Sequence, residues 1–146
     1  MLHEGNSLEA TGEYVLDANA LLAYLGDEPG SERINELLEM AAEGRNTLLM
    51  CVVNLGEVMY IEERERGPDH AREVLAGIDE LPIDIVEVDR PLTLKAAHLK
   101  AVCPIAYADC FAAALAQTTN ATLVTGDPEF KKLMPEWGVR VEWLTN

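Results

Sequence analysis

From Ala101 to Gly126 the chain carries a single charged residue, Asp109, although 25% of all residues are Asp, Glu, Lys or Arg. At that frequency, a neutral run of about sixteen residues arises by chance roughly once in a hundred placements. Two other tracts share the property: Asp17 is the only charge between Tyr14 and Gly26, and Glu57 the only one between Asn46 and Ile61. Asp127 stands directly after the Ala101–Gly126 tract. A lone carboxylate in apolar surroundings is costly unless something compensates it. Any fold available to this chain must therefore bring these four acids to a place that can hold them.

The rest of the pattern narrows the fold. Tyr14–Asp17, Thr47–Cys51, Ile83–Val88, Thr122–Thr125 and Val139–Trp143 read as short strands. Between them, Ala18–Leu25, Ser31–Glu43, Val53–Arg66, a segment from Pro68 to about Glu80, Pro91–Val102 and Ala106–Thr118 read as helices, with Pro128–Leu133 a short one. Ser31 is expected to cap the second helix, and the proline after Cys103 to end the fifth. Strands alternating with helices predict an α/β domain of three layers, α/β/α, with a mostly parallel central sheet. With no repeat, linker or low-complexity tract, a single domain over residues 14–146 is expected, preceded by a loose tail over 1–13.

Composition excludes several classes. Apolar residues make up 49% of the chain, which rules out a disordered polymer, and no window approaches the length of a membrane span. Met1–Glu13 lacks the apolar region of a secretory signal, so a cytoplasmic protein that does not enter membranes is expected. Three cysteines form no C-x-x-C pair and three histidines lie far apart, which argues against a disulfide framework and against zinc. The net charge of −15 repels nucleic acid at long range, so any nucleic-acid chemistry must use a local basic patch or bound cations.

Each of the four acids has a plain structural explanation. Asp17 follows a strand and precedes a helix, where it could serve as an N-cap. Asp127 before Pro128 has the form of a cap with proline at the first helical position. Asp109 lies in the first turn of its helix, where the dipole favours an anion. Glu57 is harder to explain away, because the solvated side of its helix is carried by Glu62, Glu63, Glu65 and Arg66. Capping accounts for each position but not for their convergence: Asp17 and Asp127 leave the carboxyl ends of strands, and Glu57 and Asp109 sit near helix starts at the same edge. Ligands of parallel sheets bind beyond that edge. Several carboxylates on one rim are neutralised by a divalent cation, and an all-oxygen donor set selects Mg²⁺ or Mn²⁺.

Taken together, the segments Val15-Leu16-Asp17-Ala18-Asn19, Asn54-Leu55-Gly56-Glu57-Val58, Tyr107-Ala108-Asp109-Cys110 leading into Phe111-Ala112-Ala113-Ala114, and Leu123-Val124-Thr125-Gly126-Asp127 with Phe130 resemble the motifs of PIN-domain nucleases, including VapC-type toxins of toxin–antitoxin pairs. The resemblance runs from about Tyr14 to Val141, in the family's order and spacing. It implies a metal-binding quartet of Asp17, Glu57, Asp109 and Asp127, with Asn19 and Thr125 as polar residues that orient the carboxylates or the attacking water. It further implies metal-assisted hydrolysis of phosphodiester bonds in single-stranded RNA. An antitoxin protein and a second copy of the chain, as a homodimer, are the partners it suggests. The acidic surface departs from the family's usual appearance.

Arg64 and Arg66, after the Glu57 helix, and Lys131 and Lys132, after Asp127, are the candidate substrate contacts, with ordinary surface charge as the alternative. The apolar stripe of Leu37, Leu38 and Met59 fits either a partner surface or the core. Two other function classes stay open: a PIN fold kept as a catalytically silent binding module, and a Mg²⁺-binding receiver domain. The receiver pairs acids after its first strand, where this chain has Leu16 before Asp17, and needs a lysine after its last strand, where Val139-Arg140-Val141 offers none.

Overall fold

Apolar pairs with opposite inward directions set up the architecture: Val15 and Leu16 are adjacent, both fully buried, and belong to different halves of the core. That is the signature of a strand covered on both faces. The computed structural model describes residues 12–144. Residues 1–11 of the tail expected over 1–13 lie outside the described residues, and Glu13 already opens the first strand.

The strands are β1 (Glu13–Leu16), β2 (Thr47–Cys51), β3 (Asp84–Val86), β4 (Thr122–Thr125) and β5 (Arg140–Trp143). The helices are α1 (Ala18–Leu25), α2 (Ser31–Ala42), α3 (Val52–Arg66), α4 (Pro68–Asp79), α5 (Arg90–Val102) and α6 (Tyr107–Thr119), with 3₁₀ turns at Pro128–Lys132 and Pro135–Trp137. The sheet order is β3-β2-β1-β4-β5 and every pairing is parallel, so the expected mostly parallel sheet is wholly parallel among the described residues. One half of the core joins Val15 and Leu123 to α5 and α6 through Leu99, Phe111 and Ala112–Ala116. The other joins Leu16, Met50 and Val124 to Leu21, Ile34, Leu37 and Val58 of the first three helices and to Ile78 of α4.

The neutral tract is explained by α6. Eight successive residues, Asp109 through Ala116, are buried, so the helix has no solvated side on which charges could stand. Its alanines let α5 and the sheet approach closely. Leu37 and Leu38 are buried and Met59 packs against the same core, which settles the fate of that stripe.

Some boundaries differ from the expectation. The third strand is trimmed to Asp84–Val86, and the Pro128 segment is a 3₁₀ turn rather than an α-helix. Ser31 does not cap α2: the N-cap is Gly30, which makes no side-chain bond and stands at φ +97°. A Cβ on Gly30 would lie 3.0 Å from Cβ of Leu144, so both the left-handed backbone and the close approach require glycine there.

Candidate metal centre

The chain builds outward from β1 to β2 and β3, then crosses back to β4 and β5 on the other side of β1. The carboxyl ends of β1 and β4 therefore flank the point where strand order reverses, the place where open α/β sheets hold ligands. Leu16 pairs with Val124, so the next residues of the two strands, Asp17 and Thr125, meet at that point.

Asp17 is 1% exposed and both its oxygens are engaged. Oδ1 accepts from the backbone N–H of Ala20 at 2.8 Å, which makes Asp17 the N-cap of α1. Oδ2 accepts from Thr125 Oγ1 at 2.5 Å. Thr125 in turn accepts from the backbone N–H of Asp127 at 2.9 Å, so one hydroxyl fixes the first acid and the turn that carries the last. Asn19 Oδ1 accepts from the Gly126 N–H at 2.8 Å, and a Cβ on Gly126 would come within 3.0 Å of that oxygen. Asp127 caps its 3₁₀ turn by accepting from Glu129 N at 2.9 Å. Capping and convergence are thus both true of Asp17 and Asp127.

The other two acids arrive from helices. Asp109 lies in the first turn of α6 and is 8% exposed. Glu57 is half-buried in the second turn of α3, where its Oε1 accepts from Asn54 Nδ2 at 3.1 Å. The same amide donates to the carbonyl of Ala108, the residue before Asp109, also at 3.1 Å.

Charge and burial act together here. Burial above all pushes the Asp17 carboxyl up to about 7; the bonds from Thr125 and Ala20 pull it down, and the charges of Asp109 and Asp127 push it up again. Asp109 is likewise held at about 7, first by burial, then by the charges of Asp127, Glu57 and Glu129. None of the ion pairs among the described residues involves any of the four acids.

These acids sense one another's charge, but among the described residues no three Asp, Glu, His or Cys side chains are grouped closely enough to hold a metal ion as they stand. The donor chemistry, all carboxylate oxygen with no paired cation, is of the kind that hard divalent cations such as Mg²⁺ or Mn²⁺ take together with waters and substrate phosphate. Zinc, with its preference for nitrogen and sulfur in a closed tetrahedron, fits poorly.

The expected substrate contacts divide. Arg64 and Arg66 end α3, roughly 10–14 Å along the axis beyond Glu57 at about 1.5 Å per residue, so the fold carries them away from the rim. Arg64 stacks over the Tyr60 ring at 5.0 Å instead. Lys131 and Lys132 stay beside Asp127 in the 3₁₀ turn. Lys132 pairs with Glu129 at 3.2 Å, and Lys131 lies over the Trp143 ring at 5.7 Å. A groove of about 760 Å³ runs from Asp27 and Gly30 to Trp143 and Leu144, and Leu144 N–H donates to the Thr125 carbonyl, so the groove adjoins the rim.

Two residues gain a role at the site only from the structure. Glu129 adds a fifth negative charge near Asp109. Asn54 holds Glu57; its signal was a polar residue three positions before the glutamate, inside a tract otherwise nearly free of them.

The sequence profile of the PIN domain matches residues 14–134, and the chain belongs to that family. It is 28% identical to VapC ribonuclease Mb0640 of Mycobacterium bovis and to ribonuclease VapC30 of Mycobacterium tuberculosis, over 80% of this chain and 92% of each relative. In fold it is similar to a chain of the DNA-bound VapBC2 complex of Rickettsia felis, with a TM-score of 0.71 at 22% identity, covering 91% of this chain and 99% of that one. The DNA-bound VapBC of Salmonella typhimurium gives 0.70 at 18% identity, with 92% and 100% covered.

Proposed function

We propose that this chain is a PIN-domain endoribonuclease that hydrolyses phosphodiester bonds of single-stranded RNA with Mg²⁺ or Mn²⁺, and that it acts as the toxin of a toxin–antitoxin pair. The observation that carries the reading is the charge coupling of Asp17 to Asp109 and Asp127, and of Asp109 to Asp127 and Glu57, at the switch point of the sheet. The names of the relatives, both VapC ribonucleases, supply the polymer class.

In this reading the four carboxylates hold the cation. Bound there, it supplies Lewis-acid stabilisation of charge building on the scissile phosphate. Thr125 keeps the Asp17 carboxylate in one orientation, and through the Asp127 N–H it keeps the last acid at a fixed distance from the first. Asn19 clamps the turn between them. Lys131, beside the rim, is placed to meet a flanking phosphate; Lys132 can do so once it leaves Glu129.

The partner calls follow the same support. The solved relatives include VapBC toxin–antitoxin assemblies, which supports an antitoxin that covers this chain. Exposed Tyr60 and Leu75 on the α3–α4 hairpin supply apolar surface for a homodimer. No helix among the described residues is long and apolar enough to cross a membrane; the cytoplasm is the location proposed here.

Cleavage of a mixed single-stranded RNA pool tests the reading. Wild type is expected to cut with Mn²⁺ or Mg²⁺ and to stop in excess chelator. Asp17→Asn, Glu57→Gln and Asp109→Asn are each expected to abolish cutting, because a ligand set works as a unit. Activity surviving all three substitutions overturns the assignment.

A further inference from the structure

Asn54 is fully buried, yet its Oδ1 meets no donor among the described residues. A buried acceptor without a partner destabilises a fold, and an apolar residue of the same shape would remove that cost. Both contacts of its Nδ2 are to acceptors, Glu57 Oε1 and the Ala108 carbonyl. Turning the amide over would set its oxygen against both, so the orientation is fixed. Only the nitrogen side of this amide is used, and what it holds lies on either side of the rim.

The geometry points to Asn54 as a positioning residue of the metal centre: its amide clamps the Glu57 carboxylate and ties α3 to the first turn of α6, so that one side chain sets where Glu57 stands relative to Asp109. A half-buried glutamate has three rotatable bonds and loses them only when something holds its end. Asn54, in the first turn of the same helix, is close enough to do so and is itself locked by packing. The second contact, to the peptide preceding Asp109, makes the clamp relative: a shift of α6 moves Ala108, Asn54 and Glu57 together. Outer partners of this kind orient metal ligands, and their loss typically weakens metal affinity about 10–100-fold. The inference rests on the metal reading proposed above.

The test is Mn²⁺ binding to the free protein without RNA, measured from the electron paramagnetic resonance signal of unbound Mn²⁺. Melting in chelator is recorded alongside. Asn54→Leu and Asn54→Ala remove both donors and the orphan acceptor; Asn54→Ser keeps one donor. Binding is expected to weaken tenfold or more in the Leu and Ala variants and to recover in part with Ser, while Leu melts in chelator near wild type. Should Leu fail to fold, Ala decides by the same criterion. Wild-type affinity in either variant, with binding lost in Asp109→Asn, overturns the inference and leaves the metal reading standing. A Ser variant as weak as Leu, with melting lowered in step, makes Asn54 a packing residue only and also overturns it. A wild type that takes up no Mn²⁺ overturns both.

Discussion

Replacing Asp109 by Asn should make the metal-free protein more stable while destroying its response to metal. The Asp109 carboxyl is held at about 7 against an ordinary 3.8, and burial and the charges of Asp127, Glu57 and Glu129 are the causes. For a carboxyl pushed up in the folded state, the penalty is absent below the unfolded pKa, grows through the interval, and is complete above the folded one. Metal-free wild type should therefore lose stability as pH rises from about 4 to 8. The shift taken whole sets a ceiling of roughly 4 kcal/mol, at about 1.4 kcal/mol per unit. The rim opens to water, and salt screens the neighbouring charges, so about 1–2 kcal/mol is the expected share at moderate ionic strength. For a chain of 146 residues that is roughly 3–8 °C in melting temperature. The assay is thermal unfolding of wild type and Asp109→Asn at pH 4.5 and pH 8, in chelator and in several millimolar Mn²⁺. In chelator the variant should melt higher at pH 8 and alike at pH 4.5. With Mn²⁺ present, wild type should rise and the variant should not, since only a state that binds ligand gains from it. Equal melting at pH 8 in chelator, or an equal metal shift in both proteins, refutes the shared-charge argument.

Thr125→Val should remove the hydroxyl that bridges Asp17 and the Asp127 N–H, costing about 1–2 kcal/mol in denaturant unfolding and most of the RNA cleavage, while Thr125→Ser retains both. Gly30→Ala should lower stability by about 1–3 kcal/mol through its left-handed backbone and the Leu144 contact, read as a drop in melting temperature; an unchanged melting point contradicts the close approach. Cleavage rate against KCl should fall shallowly or pass through an optimum, because salt screens the acidic shell and the Asp27–Glu28–Glu32 side of the groove more than it weakens attraction at the rim; a monotonic tenfold loss between about 50 and 200 mM, as counterion release would give, rejects that.

The alternation of strand and helix was legible from short apolar runs such as Val15–Leu16 and Leu123–Val124, from the long alanine-rich stretch of α6, and from the glycines and prolines between elements. The neutral tracts led to Asp17 and Asp109, which are buried, and to Glu57 and Asp127, which are half-buried, because a charge alone in an apolar tract is rare enough to stand out. What stayed hidden depends on relations between distant segments. Gly30 rather than Ser31 is the cap of α2, and the Leu144 side chain that a Cβ at Gly30 would meet comes from far along the chain. Arg64 and Arg66 follow Glu57 closely in sequence, yet a helix leaving the rim carries them seven and nine residues away from it, while Lys131 stays because it is only four residues from Asp127, the cap of its turn. Asn54 gave no periodic signal, since its meaning lies in the Ala108 carbonyl across the site.

Capping, which the structure shows for Asp17 and Asp127, does not compete with the metal-binding role proposed for them. A carboxylate offers about four acceptor positions on two oxygens. Asp17 spends one on Ala20 N and one on Thr125, and Asp127 spends one on Glu129 N. Each keeps lone pairs for a further partner, and each is now held by the backbone of the element it begins. A capping residue is rigid because its bond is to main chain, and it stands at a strand's carboxyl end because that is where a helix starts. The same two facts are what a metal ligand on a parallel sheet requires. Asp109 makes the contrast: no hydrogen bond contributes to its raised pKa, so it is fixed only by burial in α6 and by its neighbours' repulsion, and it has most to gain from a cation. That difference predicts unequal costs. Asp17→Asn should destabilise or leave unchanged the metal-free fold, because it weakens a cap while relieving a charge, whereas Asp109→Asn should only relieve one.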